Sequence, residues 1–319
     1  MLKTNGDLTT KPLSITIVIP TVYKPSVQDL RQALLSLSTT APTSSKLRYV
    51  VFVDRATADF KEKDYLKKLN LPFKVSCMWS CTPVGFTGAI NQALQLKHRQ
   101  HSQDWFLVFN DDAQAKSSFW QLKTLLNSQR SGVVSCAIET LQHTLDSNGL
   151  APTRWGVTLP VQRKIGAKRP LFVGTCFFVH GQTVKQLFDQ FGFFFFPLFF
   201  AYAEDFELSV RLHRMQIPIV IDQQVRVKHA GSTTAGRGSF FQLFHGLRND
   251  AWVHILHQHS LPALLWYGVR YGLYLCLLSL YKGYWLLPIK VIGSTVKNLK
   301  TVQYWRHIYD QSLADRYTF

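Results

Sequence analysis

A chain of 319 residues can build one large α/β domain, or a domain of ordinary size with an appendage. Apolar residues make up 46%, charged residues only 17%, and 23 Phe, 12 Tyr and 8 Trp add aromatic surface that needs a place beyond an ordinary core. A formal charge of +17 would attract any polyanion, but the basic residues are dispersed apart from Arg163, Lys164, Lys168 and Arg169 and from Lys290, Lys297 and Lys300; with no arginine-rich arm, zinc-finger spacing or RNA-binding motif, nucleic acid is set aside as a partner.

Residues 1–11 are polar, and the first apolar run is far shorter than a signal-peptide core, so no export is expected. Five cysteines, Cys77, Cys81, Cys136, Cys176 and Cys276, are odd in number and lack CxxC spacing, which reads as reduced thiols in a cytoplasmic protein. The β-branched run 15–19, ended by Pro20, predicts a buried first strand that stops at a functional edge. Val27, Leu30, Leu34 and Leu37 then fall at helical spacing, a second strand over 47–53 ends at Asp54, a third covers 73–78, and a helix opens near Gly88. This is a βαβ alternation. Residues 105–109 form a further buried strand that delivers Asp111 and Asp112 just past its C-terminal end, where open parallel sheets bind ligands.

From about 139 to 168 the chain is polar, carries Pro and Gly, and predicts loops and short strands, with a strand resuming over 171–179. Phe193 to Phe196, with Phe199 and Phe200, suit either the core or the wall of a substrate cleft. A helix begins near Asp205, with Phe206, Val210 and Leu212 on its apolar side and Arg211 and Arg214 on its polar side; short strands over 217–221 and 225–228 lead to His229. The character changes near Phe240, which divides a catalytic domain, 1–239, from a C-terminal apolar helical region, 240–319. Within it, 261–292 is almost wholly apolar and aromatic, but Arg270 and Lys282 leave an uninterrupted piece about half the ~20 residues a spanning helix needs. Helices lying in a headgroup zone fit that pattern. Packing on the catalytic domain, or a homo-oligomer interface, are the other uses of such a surface.

Four stretches carry the chemistry. Gly85 and Gly88 allow close backbone approach to a bulky ligand, with the N–H groups of the following helix directed outward. Asp111 and Asp112 suit a magnesium or manganese ion that takes its remaining ligands from a diphosphate and water. Glu204 and Asp205 open a helix, where a carboxylate serves as a cap or accepts the proton of an attacking hydroxyl. His229 ends a strand ahead of Gly231, Ser232 and Thr233 and is a candidate further metal ligand.

Together these residues resemble the family 2 glycosyltransferases of GT-A fold, in particular their bacterial rhamnosyltransferase-like branch, over residues 14–249. The strand ending in Pro20 and Thr21 matches the family opening. The nucleoside-contacting Asp-Asn-Gly-Ser-Thr-Asp pattern reads Asp54-Arg55-Ala56-Thr57-Ala58-Asp59, with Arg55 and Ala56 in place of Asn and Gly. Gly85, Phe86, Gly88 and Asn91 approximate its glycine-rich donor loop. Asn110-Asp111-Asp112 stands for the DXD-type motif, which implies Asp112 as metal ligand and Asp111 near the nucleotide sugar. Phe200-Ala201-Tyr202-Ala203-Glu204-Asp205 matches Phe-x-Tyr-x-Glu-Asp, implying Asp205 as general base beside Glu204. Glu207-Leu208-Ser209-Val210-Arg211 matches Asp-Leu-x-x-Arg, and Met215 or Gln216 replaces a Gly often found after that helix. His229, Gly231 and Ser232 resemble the loop that contacts metal and diphosphate, and Arg248-Asn249 a downstream pair, with Arg248 assigned to the donor site.

The resemblance implies an α/β GT-A fold, a Rossmann-like, mostly parallel sheet flanked by helices with a C-terminal membrane-associated extension. It also implies an inverting enzyme using Mg2+ or Mn2+ and a nucleotide-diphosphate sugar, dTDP-rhamnose or a UDP-sugar. The acceptor would be a glycan or lipid-linked oligosaccharide of bacterial cell-surface polysaccharide synthesis, reached from the inner face of the cell membrane across an anionic lipid surface. A sugar nucleotidyltransferase is the competing enzyme, but it usually carries a glycine-rich segment with a basic residue after the first strand, where this chain has Pro20-Thr21-Val22-Tyr23. A non-catalytic basic scaffold is opposed by the intact acids at 111, 112 and 205.

Overall fold

The computed structural model describes residues 13–23, 27–42, 45–98, 103–129, 131–153, 155, 157–162, 169–231 and 238–313; Arg163, Lys164, Lys168, Ser232, Thr233 and the N-terminal residues 1–12 lie outside them. The N-terminal half alternates strictly: β1 (Ser14–Val22), α1 (Gln28–Thr39), β2 (Lys46–Asp54), α2 (Glu62–Leu69), β3 (Val75–Ser80), α3 (Gly85–Lys97) and β4 (Trp105–Phe109). There follow β5 (Ala113–Ala115), a 3-10 turn with α4 (Lys123–Ser128), β6 (Val133–Thr140), β7 (Leu145–Ser147), the pair β8 (Leu150–Pro152) and β9 (Thr158–Pro160), β10 (Cys176–His180) and α5 (Gly181–Phe191). The chain then runs through α6 (Glu204–Arg214), β11 (Ile219–His229), α7 (Phe240–His257), α8 (Leu261–Lys282), α9 (Leu287–Lys297) and α10 (Leu299–Ser312).

The main sheet runs in the order β3-β2-β1-β4-β10-β6-β11-β5, parallel from β3 to β4 and antiparallel where β10 enters between β4 and β6. From β1 the chain crosses to β2 on one side and later to β4 on the other. A crevice opens at such a switch point, at the carboxyl ends of the strands. Strand residues alternate between the two faces: Ile15, Ile17, Ile19, Leu107 and Phe109 join one apolar cluster with Leu30, Leu34 and Leu37 of α1, while Val18, Phe106 and Val108 join the other with Ile90 and Leu94 of α3.

Several elements depart from the sequence pattern. The third strand is displaced to 75–80, because Phe73 is used before it, stacked on Tyr49 at 4.4 Å. The strand expected over 171–179 is regular only from Cys176, since Gly174 N–H and Thr175 C=O are bonded to Asp205 and Asn110 instead of to a neighbouring strand. The two short strands after α6 are one, β11, with a register shift between Asp222 and Arg226; the Asp222 carboxylate accepts the Gln224 and Val225 N–H groups there. Phe193 to Phe196 and Phe199 are core, and Phe200 alone reaches the cleft.

Arg211 and Arg214 do not form a solvated face: both are buried, at 0% and 1% exposure. Glu207 Oε2 accepts from Arg211 at 2.9 Å, and its Oε1 accepts from the Tyr309 hydroxyl at 3.0 Å and lies 3.3 Å from His257 Nε2. Burial alone would raise the Glu207 pKa, but Arg211, His257 and Tyr309 outweigh it and hold the carboxyl below its usual range. Arg211 also donates to the Phe194 carbonyl at 2.5 Å and lies against the rings of Phe193 and Phe191. Arg214 bonds Asp310 at 3.2 Å. Through these contacts α7 and α10, from the expected C-terminal region, share the core of residues 1–239: Trp252, Leu256, Val302 and Tyr309 belong to the same cluster as the Phe run. Removing one partner from a buried ion pair strands the other, so Glu207→Ala should destabilise the protein by about 3–5 kcal/mol. Tyr309→Phe should cost about 1.5–3 kcal/mol, because its hydroxyl donates to a buried, ionised carboxylate. Both are read as lower urea midpoints at unchanged m-value.

Candidate active site

A cleft of about 630 Å³ lies at the carboxyl ends of β1, β2 and β4. Of the residues singled out from the sequence, Pro20, Thr21, Asp54, Gly85, Phe86, Asn110, Asp111, Asp112, Glu204, Asp205 and His229 all line it. Gly88, Asn91 and Arg248 do not.

The acidic end is assembled by register. After β4, residues 110–112 turn into β5, whose Ala113 pairs with His229 at the end of β11. That pairing sets the His229 ring beside Asp112, with Nε2 3.1 Å from Oδ1, while Asn110 Nδ2 lies 3.4 Å from the same ring nitrogen. Thr21 Oγ1 donates to Asp111 Oδ2 at 2.5 Å, so the end of β1 orients the neighbouring carboxylate. Among the described residues no group of three or more His, Cys, Asp or Glu side chains is placed to hold a metal unaided. Asp112 and His229 nonetheless offer one carboxylate oxygen and one imidazole nitrogen side by side. Such a donor pair suits Mn2+, or Mg2+ with a greater share of oxygen ligands, provided a bound diphosphate and water complete the shell.

The glycine-rich stretch works differently from expectation. The Asp54 carboxylate accepts the Arg55, Val84 and Gly85 N–H groups at 2.9, 3.0 and 3.1 Å, and Thr87 N–H goes to the Phe200 carbonyl at 3.3 Å. These first amides of α3 are therefore satisfied within the protein and are not presented to a phosphate. Gly85 has φ +68°, and a Cβ there would stand 2.2 Å from the Phe200 carbonyl oxygen. Its lack of a side chain lets the loop before α6 pack directly on the start of α3. Asn91 acts behind the site: its Nδ2 donates to the Phe195 carbonyl at 2.8 Å and its Oδ1 accepts from Phe194 and Phe195 N–H, pinning the aromatic run.

Glu204 and Asp205 are set by a strained turn. Tyr202 and Ala203 are consecutive left-handed residues, φ 69° and 62°, a conformation costing of order 1–3 kcal/mol each for a non-glycine. Asn249 holds it, donating from Nδ2 to the carbonyls of Ala201 and Tyr202 at 2.9 and 2.8 Å. Arg248, expected at the donor site, instead donates from Nε and Nη2 to Asn249 Oδ1 and lies 4.4 Å from the centre of the Trp252 ring. It fixes which way the Asn249 amide points.

Asp205 Oδ2 accepts from Gly174 N–H at 2.7 Å and Oδ1 from Phe206 N–H at 2.8 Å. Burial pushes its pKa up to about 6, and these backbone donors limit the rise. Glu204 is 7% exposed, and its Oε2 finds no hydrogen-bond partner among the described residues. Burial, with the Asp205 charge adding to it, pushes Glu204 up to about 8. Only its own backbone N–H offsets that burial, and a carboxyl so placed resolves its position by keeping its proton. Asp205 thus ionises first, and Glu204 stays neutral at pH 7.

One cleft residue escaped the sequence pattern. Asp250, 3% exposed, accepts from Thr158 N–H at 3.0 Å and from the Tyr267 hydroxyl at 3.4 Å, tying β9 and α8 to α7. Burial pushes its pKa up to about 7. The available signal was the polar run Arg248-Asn249-Asp250 within a largely apolar helix.

No family model matches the sequence and no curated protein is similar to it at sequence level. Solved structures do match. The crystal structure of S. aureus TarS residues 1–349 superposes with a TM-score of 0.52 at 12% identity, over 94% of this chain and 91% of that one. The same piece in complex with UDP gives 0.50 at 12%, over 82% and 70%. The mannosyltransferase PcManGT from Pyrobaculum calidifontis, in complex with GDP-Man and Mn2+, gives 0.52 at 12%, over 93% and 84%. Of a further TarS chain this protein spans 40% of the length. The fold is that of GT-A glycosyltransferases.

Gly85→Ala should destabilise the protein by about 2–4 kcal/mol, because the left-handed backbone and the contact with Phe200 are both violated. A melting temperature within a degree of wild type would refute this role of the glycine.

Proposed function

We propose that this chain is an inverting glycosyltransferase of the family 2 type, moving a sugar from a nucleoside-diphosphate donor to an acceptor hydroxyl. The observation that carries the reading is that Asp111, Asp112 and Asp205 line one cleft at the carboxyl edge of a GT-A sheet. The UDP and GDP-Man bound by proteins of this fold support a nucleoside-diphosphate donor. Within that class dTDP-rhamnose or a UDP-sugar is favoured, with a glycan or lipid-linked acceptor of bacterial cell-surface polysaccharide at the inner face of the membrane.

Asp205 takes the proton of the acceptor hydroxyl as its oxygen bonds the anomeric carbon, while the bond from that carbon to the diphosphate oxygen breaks and the nucleoside diphosphate leaves with the electron pair. The two backbone N–H groups on the Asp205 carboxylate hold it in place. Thr21 orients Asp111 toward the donor, and Asp112 with His229 would hold Mg2+ or Mn2+. Bound there, the ion supplies charge neutralisation for the departing diphosphate. Glu204 acts in the opposite protonation state. Kept neutral, it donates a hydrogen bond to a sugar hydroxyl, which an ionised carboxylate cannot do.

Asp205→Asn should lower kcat by about a thousandfold while calorimetric nucleotide affinity is retained. Loss of affinity instead would make Asp205 a binding residue. In the wild type kcat/KM should rise with pH through about 6, as Asp205 loses its proton, and fall through about 8, as Glu204 loses its own. Glu204→Gln should keep turnover within about tenfold and abolish only the alkaline limb, because the amide remains a neutral donor. A glutamine variant as inactive as Asp205→Asn would contradict the neutral role.

A further inference from the structure

Helix α8 has two unlike faces. Tyr267, Tyr271, Leu275 and Ser279 are buried, and the Tyr267 and Tyr271 hydroxyls bond Asp250 and the Leu247 carbonyl of α7 at 3.4 and 2.5 Å. Leu265, Trp266, Val269, Leu273, Leu277 and Leu280 are exposed at 48–64%, and Trp285, Leu286, Ile289, Ile292 and Val296 extend the same character through α9. The helix is long and apolar enough to cross a membrane by length and composition, and only 22% of that window is buried; the buried side is the one bonded to α7. Because that side is bonded to α7, whose Trp252 and Leu256 lie in the apolar core shared with residues 1–239, α8 presents only its other face to a lipid surface. It is placed to lie flat.

A contiguous apolar surface of this kind marks a covered face. Charge selects what covers it. Helices α8 and α9 contain no Asp or Glu, whereas Arg270, Lys282, Lys290 and Lys297 fall within them. Pairing this face with its own copy would bring like charges together; anionic headgroups would complement them. The basic tips also sit against aromatic rings, Arg270 at 5.5 Å from Trp266 and Lys282 at 5.2 Å from Tyr281, the interfacial arrangement of an apolar body with a wet, cationic end.

We infer that the exposed face of α8 and α9 seats the protein in the headgroup layer of an anionic bilayer, without spanning it, and that the acceptor is carried by a lipid in that bilayer. The lipid-borne acceptor rests on the proposed glycosyltransfer and on position. Tyr274 lines the cleft together with Phe241, Leu243 and Leu247 of α7, and it lies within one turn of Leu273 and Leu277 on the lipid-facing side. This half of the cleft therefore opens beside the membrane surface.

The test uses the full chain and its Trp266→Ser/Val269→Ser/Leu273→Ser variant, floated with phosphatidylcholine vesicles and with vesicles that also contain phosphatidylglycerol. The wild type should float with the anionic vesicles, less so at high salt, and the variant should bind about a hundredfold more weakly at an unchanged melting temperature. Turnover with a short water-soluble acceptor should be equal for the two proteins, while turnover with a lipid-linked acceptor in vesicles should drop in the variant alone. Equal flotation of both proteins, or a wild type indifferent to phosphatidylglycerol, overturns the seat. Without lipid, a wild-type dimer that the variant dissolves and that does not float would assign the face to a second copy. If the variant floats weakly yet uses the lipid-linked acceptor as well as wild type does, the lipid-borne acceptor is refuted while the seat stands. Absence of turnover with every acceptor, with flotation intact, refutes the transferase reading and leaves the seat.

Discussion

Helix α6 carries Glu204, Asp205, Glu207, Arg211 and Arg214 through the middle of the protein, and the rest of the structure is arranged around what those charges require. Three of them draw partners from outside the helix: Asp205 from the Gly174 amide, Glu207 from His257 and Tyr309, and Arg214 from Asp310, while Arg211 pairs with Glu207 within it. An ion pair at 0% exposure yields little net stability, since desolvation offsets its attraction. Its consequence is positional. The first turn of α6 cannot shift without breaking bonds to α7 and α10, so the carboxyls at its start hold one place in the cleft.

Among the described residues Glu204 has no charged partner, and its Oε2 is left without a hydrogen bond; Arg211, whose Nη2 pairs with Glu207, leaves its Nε and Nη1 in the same condition. Adjacent carboxyls in one helical turn are thereby driven apart in proton affinity, one stabilised as an anion by backbone donors and the other kept neutral. The strained Tyr202-Ala203 turn is part of the same arrangement. Arg248 orients Asn249, Asn249 holds the carbonyls of Ala201 and Tyr202, and the helix start follows from them.

The cleft joins two halves of different origin. One side is made by β1, β2, β4 and the register of β5 against β11, and the other side by α7, α8 and the β8–β9 pair, joined through Asp250. Placing α8 beside that second half brings the apolar surface of the C-terminal helices and the cleft mouth into one neighbourhood.

By itself the sequence determined the alternating first half, the strand ends at Asp54 and Phe109, and the acids that follow Phe109; β1 runs past the expected stop at Pro20 to Val22, because it stays paired with β2 as far as Asp54. Strand periodicity and a polar break after an apolar run are local properties. The positions of Asn91, Arg248 and Asp250 were decided only by tertiary structure, because a polar side chain in a helix reads the same whether it meets a ligand or a buried backbone carbonyl 104 residues away. The same holds for Asp54: nothing local foretold that its carboxylate would take the amides at the start of α3. The two arginines of α6 look amphipathic along the chain, and only the docking of α10 makes that polar side an interior.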